Sequence, residues 1–376
     1  DSAVMHFQES EILPFERLTS DRETVQQRLR TLSALANIRE GAPIVVASTA
    51  AVAQKTLDKE AFSFRSHTIA RGQQIDLEDM LDQWRRMGYE FESAVYRPGT
   101  VSRRGGIIDI FPVGVDHPAR VELWGNEIDS IRQFDPSSQR STDVIDSVGI
   151  IPADEILPAL TSYEELDRMM AFIDVSNCTE QTTERIREEF DLLLDGQHVE
   201  DLGFYAGLFN RGSLLDYFPT DGLVVMYRPG EIAGAAWDLE ERTHQLRQTK
   251  EKRGELPTNF PSSHLLWEDI NHSIESFDRV LEISPWGAED LDYRDAIALP
   301  FASLPSYFGN LGSFVDDVKE FGEDSNRVVA VTNHSRRLGE ILSDYGVGAT
   351  LPAELEAMPE PPNVTILQSE AGGLNE

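Results

Sequence analysis

Guanidinium and indole groups are the chemistry this sequence concentrates. Arg85, Arg86, Arg97, Arg103, Arg104 and Arg120 lie close to Trp124, in a chain whose formal net charge is -33 over 376 residues. A guanidinium stays protonated at any physiological pH, so these groups do not shuttle protons; they bind carboxylates and phosphates through paired N–H donors. Arg and Trp are also the side chains most enriched at interface hot spots, where truncation costs about 2 kcal/mol or more. The bland alternative is a solvated face whose arginines neutralise neighbouring carboxylates, each surface pair contributing about 0 to 1 kcal/mol.

Other chemistries lack their residues. A phosphate-cradling loop needs GxxxxGK(S/T), because glycine amides wrap the phosphates while lysine neutralises them; no Gly-Lys pair occurs in the chain. HExxH, CxxC and GxSxG are absent. Adjacent acids such as Glu240-Glu241 or Asp316-Asp317 arise freely among 66 acidic residues and do not mark an acid/base dyad. His264 and His272, if on one helix, sit about 12 Å apart along its axis, too far to share a metal. The expectation is no catalytic residue, no metal site and no cofactor.

The elements that would position the arginines read as strands. Ala119 to Trp124 alternate, so Val121 and Leu123 go to the core while Arg120, Glu122 and Trp124 share the opposite face. Ile107 to Phe111 is β-branched and aromatic, and Val113 to Pro118 contains turn formers that join it to the next strand as a hairpin. Gly125-Asn126 reads as a tight turn into Glu127 to Phe134. The pattern predicts a three-stranded antiparallel meander with one buried face and one wet face, its tryptophan on the wet side. An indole held in water shifts the weighing from solvated arginines toward a partner-binding surface.

With those residues in view, SRRGGIIDIFPVG followed by PARVELWGNEIDSIRQFDPSSQRS resembles the second domain of the N-terminal UvrB homology module in bacterial transcription-repair coupling factors (Mfd). The family pattern is RG(G/A)hhDhFP, a few turn residues, then PhRh(E/D)hFG(D/N)EIDSIRhFD, with h apolar. IVVAST at 44–49 is similar to a strand shared with UvrB, and LPFERLTSDRETVQQRL at 13–29 to the segment before it. The resemblance is close over about 1–155 and thins beyond. It implies that this domain binds the repair protein UvrA through Arg104, Arg120 and Trp124, the last standing where the family commonly has Phe, with Arg103 and Arg97 as possible additions. It further implies recruitment of UvrA to RNA polymerase stalled at DNA lesions, in transcription-coupled nucleotide excision repair. RNA polymerase binding and ATP-driven DNA translocation would belong to domains absent from this chain, which is itself read as non-catalytic. The resemblance implies that a UvrB-type P-loop would lie before the first residue of this sequence.

The implied fold is a multidomain α/β module. A split, degenerate helicase-like domain covers 1–65 and 153–288, a small inserted α+β domain with an antiparallel sheet covers 66–152, and a small α/β domain covers 289–376. Periodicity agrees. Ser20-Asp21-Arg22-Glu23 is a capping box ahead of a helix with Val25, Leu29, Leu32 and Ala36 on one stripe; 43–48 is a buried parallel strand; Asp76 caps a helix ending at Gly88, with Trp84 and Met87 in the core. Helices are predicted over 162–172, 183–194, 231–252 and 263–277, with a strand at 223–227. The last unit reads as helix 314–321, strand 327–332, helix 335–345 and strand 364–368, with loops at 254–263 and 353–363.

Cys178 alone excludes an internal disulfide, and no apolar run approaches the roughly 20 residues of a membrane span. A soluble cytoplasmic protein without a membrane partner is expected. The acidic balance opposes broad DNA binding. Two alternatives remain: a UvrB-type damage-verification ATPase, which needs the P-loop and a tyrosine-rich hairpin although the first tyrosine is Tyr89, or a non-catalytic acidic scaffold.

Overall fold

The computed structural model describes residues 4–10, 12–38, 43–197, 199–284, 310–323, 326–353 and 364–368, together with Ile297 and Tyr307. The chain divides into two compact units, Asp1–Leu291 and Asp292–Glu376.

The first unit opens with β1 (Val4–Phe7), α1 (Arg22–Ala36) and β2 (Ile44–Ala47), the two strands pairing in parallel across the helix. Helix α1 is capped by Asp21, whose carboxylate accepts the Thr24 N–H at 2.9 Å. The expected capping box therefore moves one residue along, from Ser20 to Asp21, and places an anion at the positive end of the helix dipole. Leu29, Leu32 and Leu35 bury against Phe7 and Leu57. Arg28 is buried too, which apolar periodicity does not foresee. Its Nε donates to the Glu155 carboxylate at 2.9 Å, and its guanidinium lies 4.1 Å from the centre of the Phe7 ring. Strand β2 was expected to be buried on both faces. Val45 and Ala47 do pack, but Ile44 is 55% and Val46 54% exposed, because among the described residues this is a two-stranded sheet packed on one side. Short helices α2 (Thr49–Ala53) and α3 (Lys59–Arg65) follow.

Next come β3 (His67–Ala70), α4 (Leu77–Arg86), β4 (Glu90–Phe91), β5 (Thr100–Arg104), β6 (Ile107–Phe111), β7 (Ala119–Trp124), β8 (Glu127–Phe134), β9 (Ser141–Ile145) and β10 (Ser147–Ile150). Strands β4 to β9 form one six-stranded sheet in sequence order, with β4 parallel to β5 and the remaining neighbours antiparallel. The predicted three-stranded meander is thus the middle of a larger sheet. Strands β5 (TVSRR) and β9 (STDVI) carry polar residues on both parities, so they show no apolar alternation in sequence. Helix α4, capped by Asp76, covers one face: Met80, Leu81, Trp84 and Met87 pack on Val101, Ile108, Ile110, Val121 and Ile131. Gly88 ends it at φ +89°. The Trp84 indole N–H donates to His67 Nε2 at 3.1 Å, which satisfies the one polar atom of that buried ring.

The remainder is α5 (Tyr163–Phe172), α6 (Glu180–Leu194), α7 (Ala206–Phe209), β11 (Leu223–Tyr227), α8 (Pro229–Lys252), α9 (Trp267–Glu275) and β12 (Arg279–Ile283), with β11 parallel to β12. Phe190, Phe204, Tyr205 and Phe260 build a further core, into which Glu189 is drawn by Arg17 and Arg185, each at 2.8 Å, and by the Tyr205 hydroxyl. Helix α9 begins four residues later than predicted because His264 bridges Gln54 in extended form. His264 therefore does not share a helix with His272. Burial, Arg28 and Lys55 lower its pKa to about 4.

The second unit contains α10 (Leu311–Glu323), β13 (Val328–Thr332), α11 (Ser335–Asp344), β14 (Ala349–Thr350) and β15 (Val364–Gln368). The strands form a parallel sheet in the order β13-β15-β14, over a core of Val315, Val318, Leu342, Val364 and Ile366. The expected boundary near 289 and, apart from Ala353, the loop at 353–363 lie outside the described residues. The protein is a mixed α/β chain of several sheets. Among the described residues no helix is long and apolar enough to cross a membrane, and no three His, Cys, Asp or Glu side chains are placed to hold a metal ion.

Candidate functional site

The side of the six-stranded sheet away from α4 is where the singled-out residues meet or part. Antiparallel register decides which side chains share a face. Arg104 is opposite Ile107, which is opposite Glu122, which is opposite Ser130; these four form one row. The next row runs Ser102, Asp109, Arg120, Arg132 and Val144. Trp124 follows Glu122 by two residues and belongs to the same outer face. Arg104, Arg120 and Trp124 are therefore co-facial, on β5 and β7 with β6 between them. With strands about 4.8 Å apart and a two-residue step of about 6.7 Å, the Cα atoms of Arg104 and Trp124 lie roughly 12 Å apart.

Trp124 is 84% exposed, as strand alternation predicts. Two local features hold it out. The register shifts between Glu122 and Leu123, a bulge that increases the local twist at the end of β7. The β5–β6 turn is Gly105-Gly106, with Gly105 at φ +63°, and neither residue has a side chain that could cover the indole. Ile107, 39% exposed, sits between Arg104 and Glu122 and adds apolar surface. Arg104 reaches only the Ser93 carbonyl, at 3.4 Å, and has no carboxylate partner among the described residues.

Arg120 departs from the expectation of full exposure. Its side chain is 19% exposed and forms a two-pronged pair with the buried Asp109, Nε to Oδ1 at 2.7 Å and Nη2 to Oδ2 at 2.9 Å. Nη1 donates to the Gln139 carbonyl, and the guanidinium lies 4.8 Å from the centre of the Phe134 ring. The hydrogen bonds to Asp109 raise the Arg120 pKa further and neutralise its charge in place. The cause is that Phe111 and Phe134, on the outer parity, are roofed by Val95, so one end of this face is covered and Arg120 stands at its margin.

The additional arginines separate from the patch. Arg103 has the parity of Ile108, so it leaves on the α4 side, where Nη1 pairs with Glu78 at 2.7 Å. Arg97 precedes β5 and binds Glu90 at 2.6 Å and Glu92 at 2.7 Å. Arg85 and Arg86 both pair with Asp82. The basic cluster of the sequence is thus largely neutralised, and the open surface is Arg104, Ile107 and Trp124 with Arg120 at the edge. Ile107 and Val144, the latter 64% exposed, escaped sequence reading because their facing depends on register rather than on their own strand's alternation.

Comparison with known proteins bears on this face. Residues 68–156, which include the whole sheet, match the UvrB interaction domain family. Over 382 aligned residues the chain is 26% identical to the transcription-repair-coupling factor of Bacillus subtilis, covering 95% of this chain and 31% of that protein. It is 32% identical over 291 residues to that of Myxococcus xanthus, covering 74% and 24%, and 33% identical over 236 residues to that of Staphylococcus haemolyticus, covering 60% and 20%. The chain spans less than a third of the length of these relatives.

Proposed function

We propose that the chain, whose residues 68–156 match the UvrB interaction domain and which is similar to transcription-repair-coupling factors over most of its length, is a non-catalytic docking module of that family that recruits UvrA. The observation that carries the reading is Trp124: an indole 84% exposed, on the face that Arg104 shares, inside the matched domain. An isolated folded chain gains little by holding that ring in water, whereas a partner burying it gains area and stacking. In this reading Arg104 supplies a free fork for a carboxylate, Trp124 and Ile107 supply apolar contact, and the Asp109-bound Arg120 keeps the margin of the patch rigid. Binding here brings UvrA to RNA polymerase stalled at a DNA lesion; contacts to polymerase and DNA, and any ATP-driven motion, fall to parts of the relatives beyond the aligned length.

Titration of purified UvrA against the chain tests this. Trp124→Ala and Arg104→Ala are each expected to weaken binding about tenfold or more with unfolding midpoints unchanged. Dissociation constants equal to that of the unaltered chain overturn the proposal.

A further inference from the structure

The domain spanning 68–156 contains nine arginines. Five are tied to carboxylates: Arg85, Arg86, Arg97, Arg103 and Arg120. Arg71 bonds the Asp129 carbonyl, and Arg140 sits in the turn before β9. That leaves Arg104 and Arg132 as the strand-borne cations of this domain without an acid among the described residues, and both lie on the outer face.

Arg132 occupies an unusual place. Directly across the ladder it meets Arg120 on one side and Val144 on the other. It is exposed, and among the described residues its side chain has neither an ion pair nor a hydrogen bond. Like charges directly opposite one another destabilise a sheet. Asp109 relieves only half of this conflict, because it takes Arg120 toward β6 and leaves the β8 arginine bare. The diagonal acid on β7, Glu122, accepts the Ser130 hydroxyl at 3.0 Å. In a chain with twice as many acids as bases, a partner for Arg132 within the fold would be easy to supply. None is.

We propose that Arg132, with the exposed Val144 beside it, extends the docking face across β8 and β9 and provides its second free cation, directed at a carboxylate of the partner. The inference rests on the UvrA-docking reading and adds to it a residue, a direction and a spacing. The Cα atoms of Arg104 and Arg132 stand three strands and one two-residue step apart, roughly 16 Å, so the complementary surface carries two acidic groups at about that spacing with an apolar contact for Trp124 to one side of the line between them. Arg120, by contrast, acts through Asp109 as a positioning residue.

The test is titration of purified UvrA against Arg132→Glu, beside Arg104→Ala and Trp124→Ala, with thermal midpoints recorded for each. Arg132→Glu is expected to weaken binding about tenfold or more, mainly by slowing association, while its midpoint is unchanged or rises because an acid then faces Arg120. If Arg104→Ala and Trp124→Ala weaken binding and Arg132→Glu does not, the extension is overturned and the docking reading stands. If none of the three weakens binding, both fall. Weaker binding accompanied by a lowered midpoint in Arg132→Glu also overturns the extension, since the arginine would then be structural.

Discussion

Asp109 is the side chain on which the behaviour of Arg120 turns. It is 3% exposed at the side chain, and its two oxygens are both held by that guanidinium. Removing the arginine strands a carboxylate away from water, a change that costs about 3–5 kcal/mol. Arg120→Ala is therefore expected to lose about that much unfolding free energy in denaturant titrations, unlike Trp124→Ala, which stays within about 0.5 kcal/mol because its ring is already in water. An Arg120→Ala chain as stable as the parent contradicts the pair as drawn. This also marks what was legible at single residues. The exposure of Trp124 follows from alternation along its own strand, so sequence suffices. The capture of Arg120 follows from cross-strand register with Asp109, which no single strand contains, and a free guanidinium was the natural but mistaken expectation.

At the scale of elements, α4 and its exit govern the sheet. Helix spacing, the Asp76 cap and the Gly88 stop were readable because each is local chemistry. The width of the sheet was not, since the polar composition of β5 and β9 hides their pairing. Just past the sheet, Asp154 packs against Gly88, where a Cβ would come within 3.0 Å of the Asp154 Cβ. Burial pushes the Asp154 carboxyl from 3.8 up to about 6. The folded state then holds a proton that the unfolded chain has released between those values, so this group's contribution is present at low pH and lost as pH rises through about 6. Asp154→Asn is expected to stabilise the fold near pH 8, by no more than about 3 kcal/mol, with the gain vanishing near pH 4. A difference independent of pH counts against a shifted Asp154.

For the molecule as a whole, charge and burial point the same way. A net charge of -33 turns most of the surface away from phosphate, and the domain's own carboxylates absorb most of its arginines. What remains open is one sheet face with an indole and two guanidiniums that have no acid partner among the described residues. At physiological ionic strength, charges more than about 8 Å apart are screened, so this local patch rather than the net charge governs a close encounter. Composition disclosed the acidic background, and sequence motifs disclosed the domain matched at 68–156. Neither discloses which cations stay free, because that is decided by tertiary pairing.

Oxidative footprinting of the tryptophans, with and without purified UvrA, tests the central claim most directly. Trp124 and Trp237 are 84% and 59% exposed, and Trp237 lies on α8 outside the matched domain, so it serves as an internal reference. UvrA is expected to slow oxidation of Trp124 several-fold while leaving Trp237 unchanged. Equal oxidation of Trp124 in the free chain and under saturating UvrA would contradict a docking face built around it.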